Sequence, residues 1–182
     1  MENIDLSLYQ NKSYRPGNFF KRSLWYLIHS FFFDTKIPHS NLLKISLLRL
    51  FGAEIDKGVL IKPDVKIKYP WFLKIGKNVW IGEEVWLDNL AQIEIGNNVC
   101  ISQGAYIGTG NHNYTKKSFD LMVSKVIIED GVWVGAKSIV SPGITLSSHS
   151  VITMGSVVTK NTLPYTIYHG NPAKEIKKRF IN

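Results

Sequence analysis

Five histidines, one cysteine and fourteen carboxylates are the side chains of this 182-residue chain that could shuttle protons or attack a carbonyl. One of them stands apart by its surroundings. His112 lies in Thr109-Gly-Asn-His-Asn-Tyr114, a polar, glycine-containing run where an exposed imidazole is not forced by packing. Imidazole titrates near neutral pH, so it suits removal of a proton from a hydroxyl as that oxygen attacks an acyl group. Asn111 and Asn113 flank it and could either hydrogen-bond an acceptor or serve turn geometry. The other histidines carry less. His29 sits in an apolar segment and His39 follows Pro38 in a turn, so both read as structural or solvent-facing. His149 lies between two serines and reads as a surface residue, whereas His169, just before a glycine, is ambiguous. Cys100 has no partner for an intrachain disulfide and no base at suggestive spacing, so it reads as a small packed residue. A chain with one cysteine fits a reducing compartment.

The elements that must position these residues announce themselves by a six-residue period. Ile75-Gly-Lys-Asn-Val-Trp, Ile81-Gly-Glu-Glu-Val-Trp, Ile95-Gly-Asn-Asn-Val-Cys and Val134-Gly-Ala-Lys-Ser-Ile each open on an aliphatic residue, with small or β-branched residues following. First positions fall at 55, 61, 67; 75, 81, 87; 95, 101, 107; 128, 134, 140; and 146, 152, 158. A hexapeptide period marks a β-helix in which each hexad is a short strand and a turn. Fifteen hexads taken in threes predict five triangular coils, about 24 Å tall at the usual strand spacing. Every interruption follows the third hexad of a coil, so all extra residues leave from one corner of the prism. The largest interruption, residues 109–125, carries His112. Long loops on rigid scaffolds are where function concentrates.

Around this β-helix, 53–160, lie a helical N-terminal segment, 1–52, and a tail, 161–182. Helices are predicted over 18–33 and 40–51. In the second, Leu43, Leu47, Leu50 and Phe51 form one apolar stripe, Ser40 or Asn41 can cap the start and Gly52 the end. Residues 1–17 read as irregular. Ile167–His169 can form one more strand, and 173–180 reads as a short basic helix that caps the open end. The formal charge of +8 sits at the ends: residues 53–159 carry ten lysines and ten carboxylates, residues 1–52 seven basic and three acidic groups, and residues 160–182 five and one. A basic end can meet nucleic acid, anionic lipid or a phosphorylated ligand, but nothing reads as a known nucleic-acid module. The apolar run 24–33 is too short for a membrane span, which needs about 20 residues, and it lacks the position and cleavage site of a signal peptide. We expect a cytoplasmic protein. Its aromatic N-terminal helices, with Lys21, Arg22, Lys44 and Arg49, either cap the first coil and support an oligomer or rest on the inner face of a membrane.

The repeats, the loop 108–114 and the tail Gly170-Asn-Pro-Ala-Lys174 resemble the hexapeptide-repeat acetyltransferases, and among them the colanic acid type of exopolysaccharide O-acetyltransferase. That likeness extends to Leu48-Arg-Leu-Phe-Gly-Ala53 and to 65–71, and covers about residues 18–180. It implies a left-handed parallel β-helix, homotrimers with active sites between protomers, acetyl-CoA as donor, and a sugar hydroxyl of a surface glycan or lipid-linked precursor as acceptor. It implies His112 as the general base, and Asp88, Asn89, Asn111, Asn113 and Tyr114 about the acceptor, with Trp86 and Trp71 as stacking surfaces or packing. It places the pantetheine arm along Trp133, Gly135, Ala136, Met154 and Gly155, and the phosphates near Thr159, Lys160, Lys174 and Lys177. Where some relatives carry Arg in the tail, Lys174 and Lys177 keep the charge but not the bidentate geometry. No metal is required by this chemistry. A carbonic anhydrase on the same solenoid would need three imidazoles that His112 and His149 do not supply, and a nucleotidyltransferase would need a further domain. An antibiotic O-acetyltransferase and a non-catalytic scaffold are the alternatives.

Overall fold

In this computed structural model, which describes residues 3–182, short parallel strands stack into three sheets that close a triangular prism. The first face runs through Ile55, Ile75, Ile95, Ile128 and Leu146, each beside the next in register. The second runs through Ile61, Ile81, Ile101, Val134 and Ile152 and continues to Tyr168. The third runs through Ile67, Leu87, Ile107, Val140 and Val158. All fifteen first positions of the hexads are buried. The residues two before them, such as Val59, Val79, Val99 and Val132, fill the remaining interior. The solenoid is the left-handed β-helix that the period implies, with five full coils and part of a sixth made by the strand Thr166–His169.

Corners need backbone that few side chains tolerate. The corner joining the first and second faces carries Gly58, Asn78, Asn98, Gly131 and His149 in left-handed conformation. His149 stacks on Tyr165 at 4.6 Å and blocks any side chain at Gly131, so it is a corner residue with a packing role.

Helix α1 (Phe19–Phe32) and helix α2 (Asn41–Leu50) close the N-terminal end of the prism. Asn18 caps α1 through the Lys21 N–H. Ser40 occupies the cap position of α2 without a side-chain bond, and the amide of Asn41, the other expected cap, bonds to Val59 and Ile61 of the first coil. Trp25 is buried among Phe33 and Phe51 and donates to the Ile67 carbonyl at 3.0 Å. Leu48 is fully buried, and Lys44 reaches under the prism to the Ile61 and Lys62 carbonyls. The outer face of α1 remains open: Phe20, Tyr26 and Phe31 are exposed. No helix of the described residues is long and apolar enough to cross a membrane.

The tail departs from expectation. Residues 173–180 form no helix; Lys174–Lys178 is a strand antiparallel to Thr166–His169. The last coil leaves an open sheet edge whose backbone groups need partners. An isolated eight-residue helix is marginal because its nucleation is unfavourable, so pairing with the edge wins. The cap is a lysine-bearing strand, which also protects the new edge from pairing with other chains.

Candidate active site

The long interruption is more ordered than a loop. Gly110–His112 and Leu121–Val123 pair as an antiparallel hairpin, with His112 opposite Leu121. Its base is fastened to the prism by fully buried Thr109. The Thr109 hydroxyl donates to the Asp88 carbonyl at 2.8 Å and accepts from the Ala91 N–H at 2.9 Å. Gly110 packs against the tip of the Leu90 side chain.

The imidazole of His112 is held on two sides. Its ring stacks on Phe119 with centroids 4.5 Å apart and planes 6° from parallel. Its Nδ1 lies 2.9 Å from the Phe119 carbonyl. A carbonyl only accepts, so Nδ1 carries the proton and Nε2 keeps its lone pair. Phe119 has a positive φ of 50°, uncommon for an aromatic residue, and this turn aims both its ring and its carbonyl at His112. A cavity of about 850 Å³ opens beside the imidazole.

The N-terminal arm supplies the other wall of that cavity. The Asp5 N–H donates to the Lys117 carbonyl at 2.9 Å, and the Tyr14 hydroxyl donates to the Leu90 carbonyl at 2.7 Å. The Tyr9 ring stands 5.9 Å from that of His112. Arg15, Arg22 and Lys68 complete the lining. None of these residues is expected at the acceptor site from sequence, where Arg22 is named only among the cations of the N-terminal helices. The arm lacks any periodic pattern, and only its return over the hairpin brings it to the site. Burial pushes the Tyr14 phenol up, and the nearby Tyr69 and Asp88 charges add to this, so it stays protonated and donates.

The expected acceptor residues fall into two groups. Asp88 lies at the hairpin base: its carboxylate accepts from the Tyr106 hydroxyl at 2.8 Å and pairs with Lys68 at 3.2 Å. Asn89 is wholly buried, and its amide is used up by the chain around it. It accepts from the Lys68 and Tyr69 N–H groups at 3.0 Å each and donates to the Tyr69 carbonyl at 2.6 Å. Asn89 therefore builds the corner instead of facing an acceptor. Asn111 is exposed and accepts from the His112 N–H. Asn113 folds the hairpin tip by accepting from the Thr115 N–H and hydroxyl, and Tyr114 projects from that tip, 75% exposed. Trp71 packs beside Tyr69 under the Lys21 ammonium, 4.4 Å from its ring. Trp86 is exposed and meets Tyr106 edge-on.

The expected donor residues line a different corner. Trp133 is on the second face, and Gly135, Ala136, Met154 and Gly155 turn the chain from the second face to the third. Gly135 is packed against the Met154 backbone, which leaves no room for a side chain, and Gly155 faces open space. Lys174 pairs with His169 at the end of the same corner, and Lys177 lies further along the second face opposite Ile167. Thr159 and Lys160 follow the last third-face strand and do not join this column. His112 projects from the corner between the third and first faces, so one protomer does not bring base and donor column together.

The chain thus presents a stacked hexad prism with a histidine-bearing hairpin at one corner and the expected donor residues at another. Residues 125–160 match the family profile for the hexapeptide repeat of succinyl-transferase. The chain is 36% identical over 168 residues, 92% of each protein, to WcaF of Escherichia coli K12, assigned as a colanic acid biosynthesis acetyltransferase. The chain belongs to the hexapeptide-repeat acetyltransferase family. Among solved structures, a maltose O-acetyltransferase from Clostridium difficile 630 superposes with a TM-score of 0.77 at 28% identity, covering 88% of this chain and 87% of that one. The hexapeptide-repeat acetyltransferase VCA0836 from Vibrio cholerae, complexed with acetyl coenzyme A, shares the fold with a TM-score of 0.78 at 21% identity and 88% coverage of each.

Proposed function

We propose that this protein is an acetyl-CoA-dependent O-acetyltransferase that modifies a sugar hydroxyl of an exopolysaccharide or its lipid-linked precursor, with His112 as general base. The observation that carries the reading is the imidazole itself: Nδ1–H engaged by the Phe119 carbonyl, the ring clamped by stacking, and Nε2 left free beside a large cavity. The relationship to acetyltransferases supplies the donor, and acetyl-CoA makes the cytoplasm the place of reaction. Nε2 takes the proton of the acceptor hydroxyl as its oxygen attacks the thioester carbonyl. Backbone N–H groups of the adjoining coil stabilise the tetrahedral oxyanion. Its collapse breaks the C–S bond, and the departing thiolate recovers the proton from the imidazolium.

The separation of His112 from the expected donor column at another corner supports the homotrimer that the family resemblance implies, with each site shared between neighbours. Two experiments test this. Replacing His112 by Ala should lower acetyl-dependent thiol release by about 10²–10⁴-fold while the protein remains folded; full activity in that variant excludes the base assignment. Mixed trimers of His112→Ala with a variant at an exposed donor-column residue, Met154→Glu, should regain activity that neither has alone, and no regain would place both halves of the site on one chain.

A further inference from the structure

The N-terminal arm lies across the hairpin although the prism does not need it for its core. A terminal segment stays in place only when something ties it down. Burial does not do so here: no side chain of residues 3–18 is buried, and Ile4, Leu6 and Leu8 are exposed to solvent. The arm is fastened at two points instead. At its root, Gly17 turns the chain beside Trp71 with a φ of +104°, and the Tyr14 hydroxyl donates to the Leu90 carbonyl at 2.7 Å. At its tip, the Asp5 N–H donates at 2.9 Å to the carbonyl of Lys117, in the turn of the hairpin.

Between these points the arm passes the imidazole. Half of the residues around the His112 cavity belong to it, Tyr9, Asn11 and Arg15 among them. Of the three tyrosines in that lining, two are occupied: Tyr14 by the Leu90 carbonyl and Tyr69 by stacking on Trp71 at 5.1 Å. Tyr9 is the third. Its ring meets His112, and its phenol has no hydrogen bond among the described residues. The aromatic residues expected from sequence to meet a sugar stand elsewhere, with Tyr114 at the hairpin tip, Trp71 under Lys21 and Trp86 on Tyr106. Root on the prism and tip on the hairpin close a ring of chain beside the base. A glycan that continued in both directions from the reacting sugar would have to thread that ring. A chain end enters from the open side.

We propose that the arm is a specificity strap: it limits acetylation to the terminal sugar of a glycan chain, and Tyr9 is the ring against which that sugar lies. This rests on the acetyltransferase reading above and names the position on the acceptor that the site takes. Tyrosine suits the role because one end of its ring is apolar, toward the sugar face, and the other stays wet.

The test uses the full-length protein, acetyl-CoA and ladders of malto- and galacto-oligosaccharides from one to six units, with the acetyl group located by tandem mass spectrometry. The parent protein should acetylate an end sugar at every length, with a kcat/KM per chain that does not rise with length. Tyr14→Phe removes the root bond and keeps every ring, so it should raise the share of internal acetylation. Removal of residues 1–12 should raise the internal-to-terminal ratio further, by roughly tenfold; the point variants keep the whole chain should this truncation fold poorly. Tyr9→Ala should raise KM for the acceptor by roughly tenfold and leave KM for acetyl-CoA unchanged, and Tyr9→Phe should retain most of the parental value. Internal sugars acetylated by the parent in proportion to their number, or a distribution unmoved by Tyr14→Phe and by the truncation, overturns the strap. A parental acceptor KM in Tyr9→Ala overturns the role of that ring. Absence of thiol release with every member of both ladders refutes the acetyltransferase reading itself, which is a separate outcome.

Discussion

Replacing Asn89 by Leu distinguishes a corner-building residue from an acceptor ligand. The side chains have similar volume, so the buried site stays filled. The loss is polar. The Tyr69 N–H has the Asn89 carbonyl oxygen as its partner, and in the variant it is orphaned inside the corner. The Lys68 N–H keeps a long bond to the Leu87 carbonyl at 3.3 Å, and the Tyr69 carbonyl keeps the Phe72 N–H at 3.0 Å, so each of these loses one of two partners. One buried orphan and two lost bonds together cost about 3–5 kcal/mol. For a chain of this size that corresponds to a fall in Tm of about 6–20 °C. Thermal unfolding followed by circular dichroism at fixed protein concentration reads the effect directly. If Asn89 instead contacts the acceptor sugar, Tm stays within error of the parent and KM for the acceptor rises. That combination would refute the assignment made from burial and hydrogen bonding.

Other outcomes follow from the same geometry. His29 accepts from the Ile67 N–H at 3.0 Å and must be neutral to do so; burial holds its pKa below the ordinary value, against Asp34 and with Lys66 nearby. Above the unfolded value near 6.5 both states are neutral; as pH falls through it only the unfolded chain gains the proton, so Tm should drop toward pH 5, and His29→Gln should flatten that slope. An unchanged slope would assign the acid sensitivity elsewhere. Lys174→Glu should raise KM for acetyl-CoA by about tenfold, whereas Lys160→Glu, at the other corner, should leave it within about twofold; equal effects would contradict the separation of the two lysines. Removing residues 1–12 should lower acceptor kcat/KM by roughly tenfold or more, because Tyr9 and the arm wall are lost, with little change in Tm since no side chain of the described arm is fully buried. Unaltered acceptor kinetics in that truncation would remove the arm from the site.

Periodicity carried the fold. An aliphatic residue every sixth position can be buried only if each hexad turns by the same angle, so counting first positions located all three faces and the corner where insertions leave. The helices were legible as elements, and the stop of α2 at Gly52, whose φ is +100°, is a local signal. The stripe expected for α2 is not its buried face, however: Leu43 and Leu50 are exposed, while Lys44, Ile45 and Leu48 turn inward with Phe51. What escaped depends on partners far along the chain. Gly-Asn-His and Leu-Met-Val have no alternation that predicts a hairpin; Gly110 paired with Val123 is fixed by Thr109 and Ser124 at the prism wall. The tail favours a strand because an unpaired edge exists beside it, a fact that Lys-Glu-Ile-Lys-Lys does not contain. His112 was legible as an unusual histidine, but the Phe119 carbonyl that sets its tautomer was not, since backbone oxygens leave no mark in sequence. Asn89 shows the converse: its type suggested an acceptor ligand, and only burial reveals that its hydrogen bonds are already spent.

The placement of the longest insertion at one corner has a mechanical cause. Within a strand, one extra residue would shift every side chain by half a pleat and expose the aliphatic first positions to solvent. At a corner, added residues leave the ladders above and below in register, as the unbroken pairing of Ile107 with Val140 on one side of the insertion and Ile95 with Ile128 on the other shows. The hairpin that holds His112 can therefore be long without loosening the prism. The prism in turn fixes its base through Thr109 and Asp88. Under the proposed function, a corner insertion that points away from its own donor column gives the base a thioester to act on only when another prism stands against it. Assembly and chemistry are then coupled: a variant that weakens contact between protomers should lose turnover while each prism stays folded.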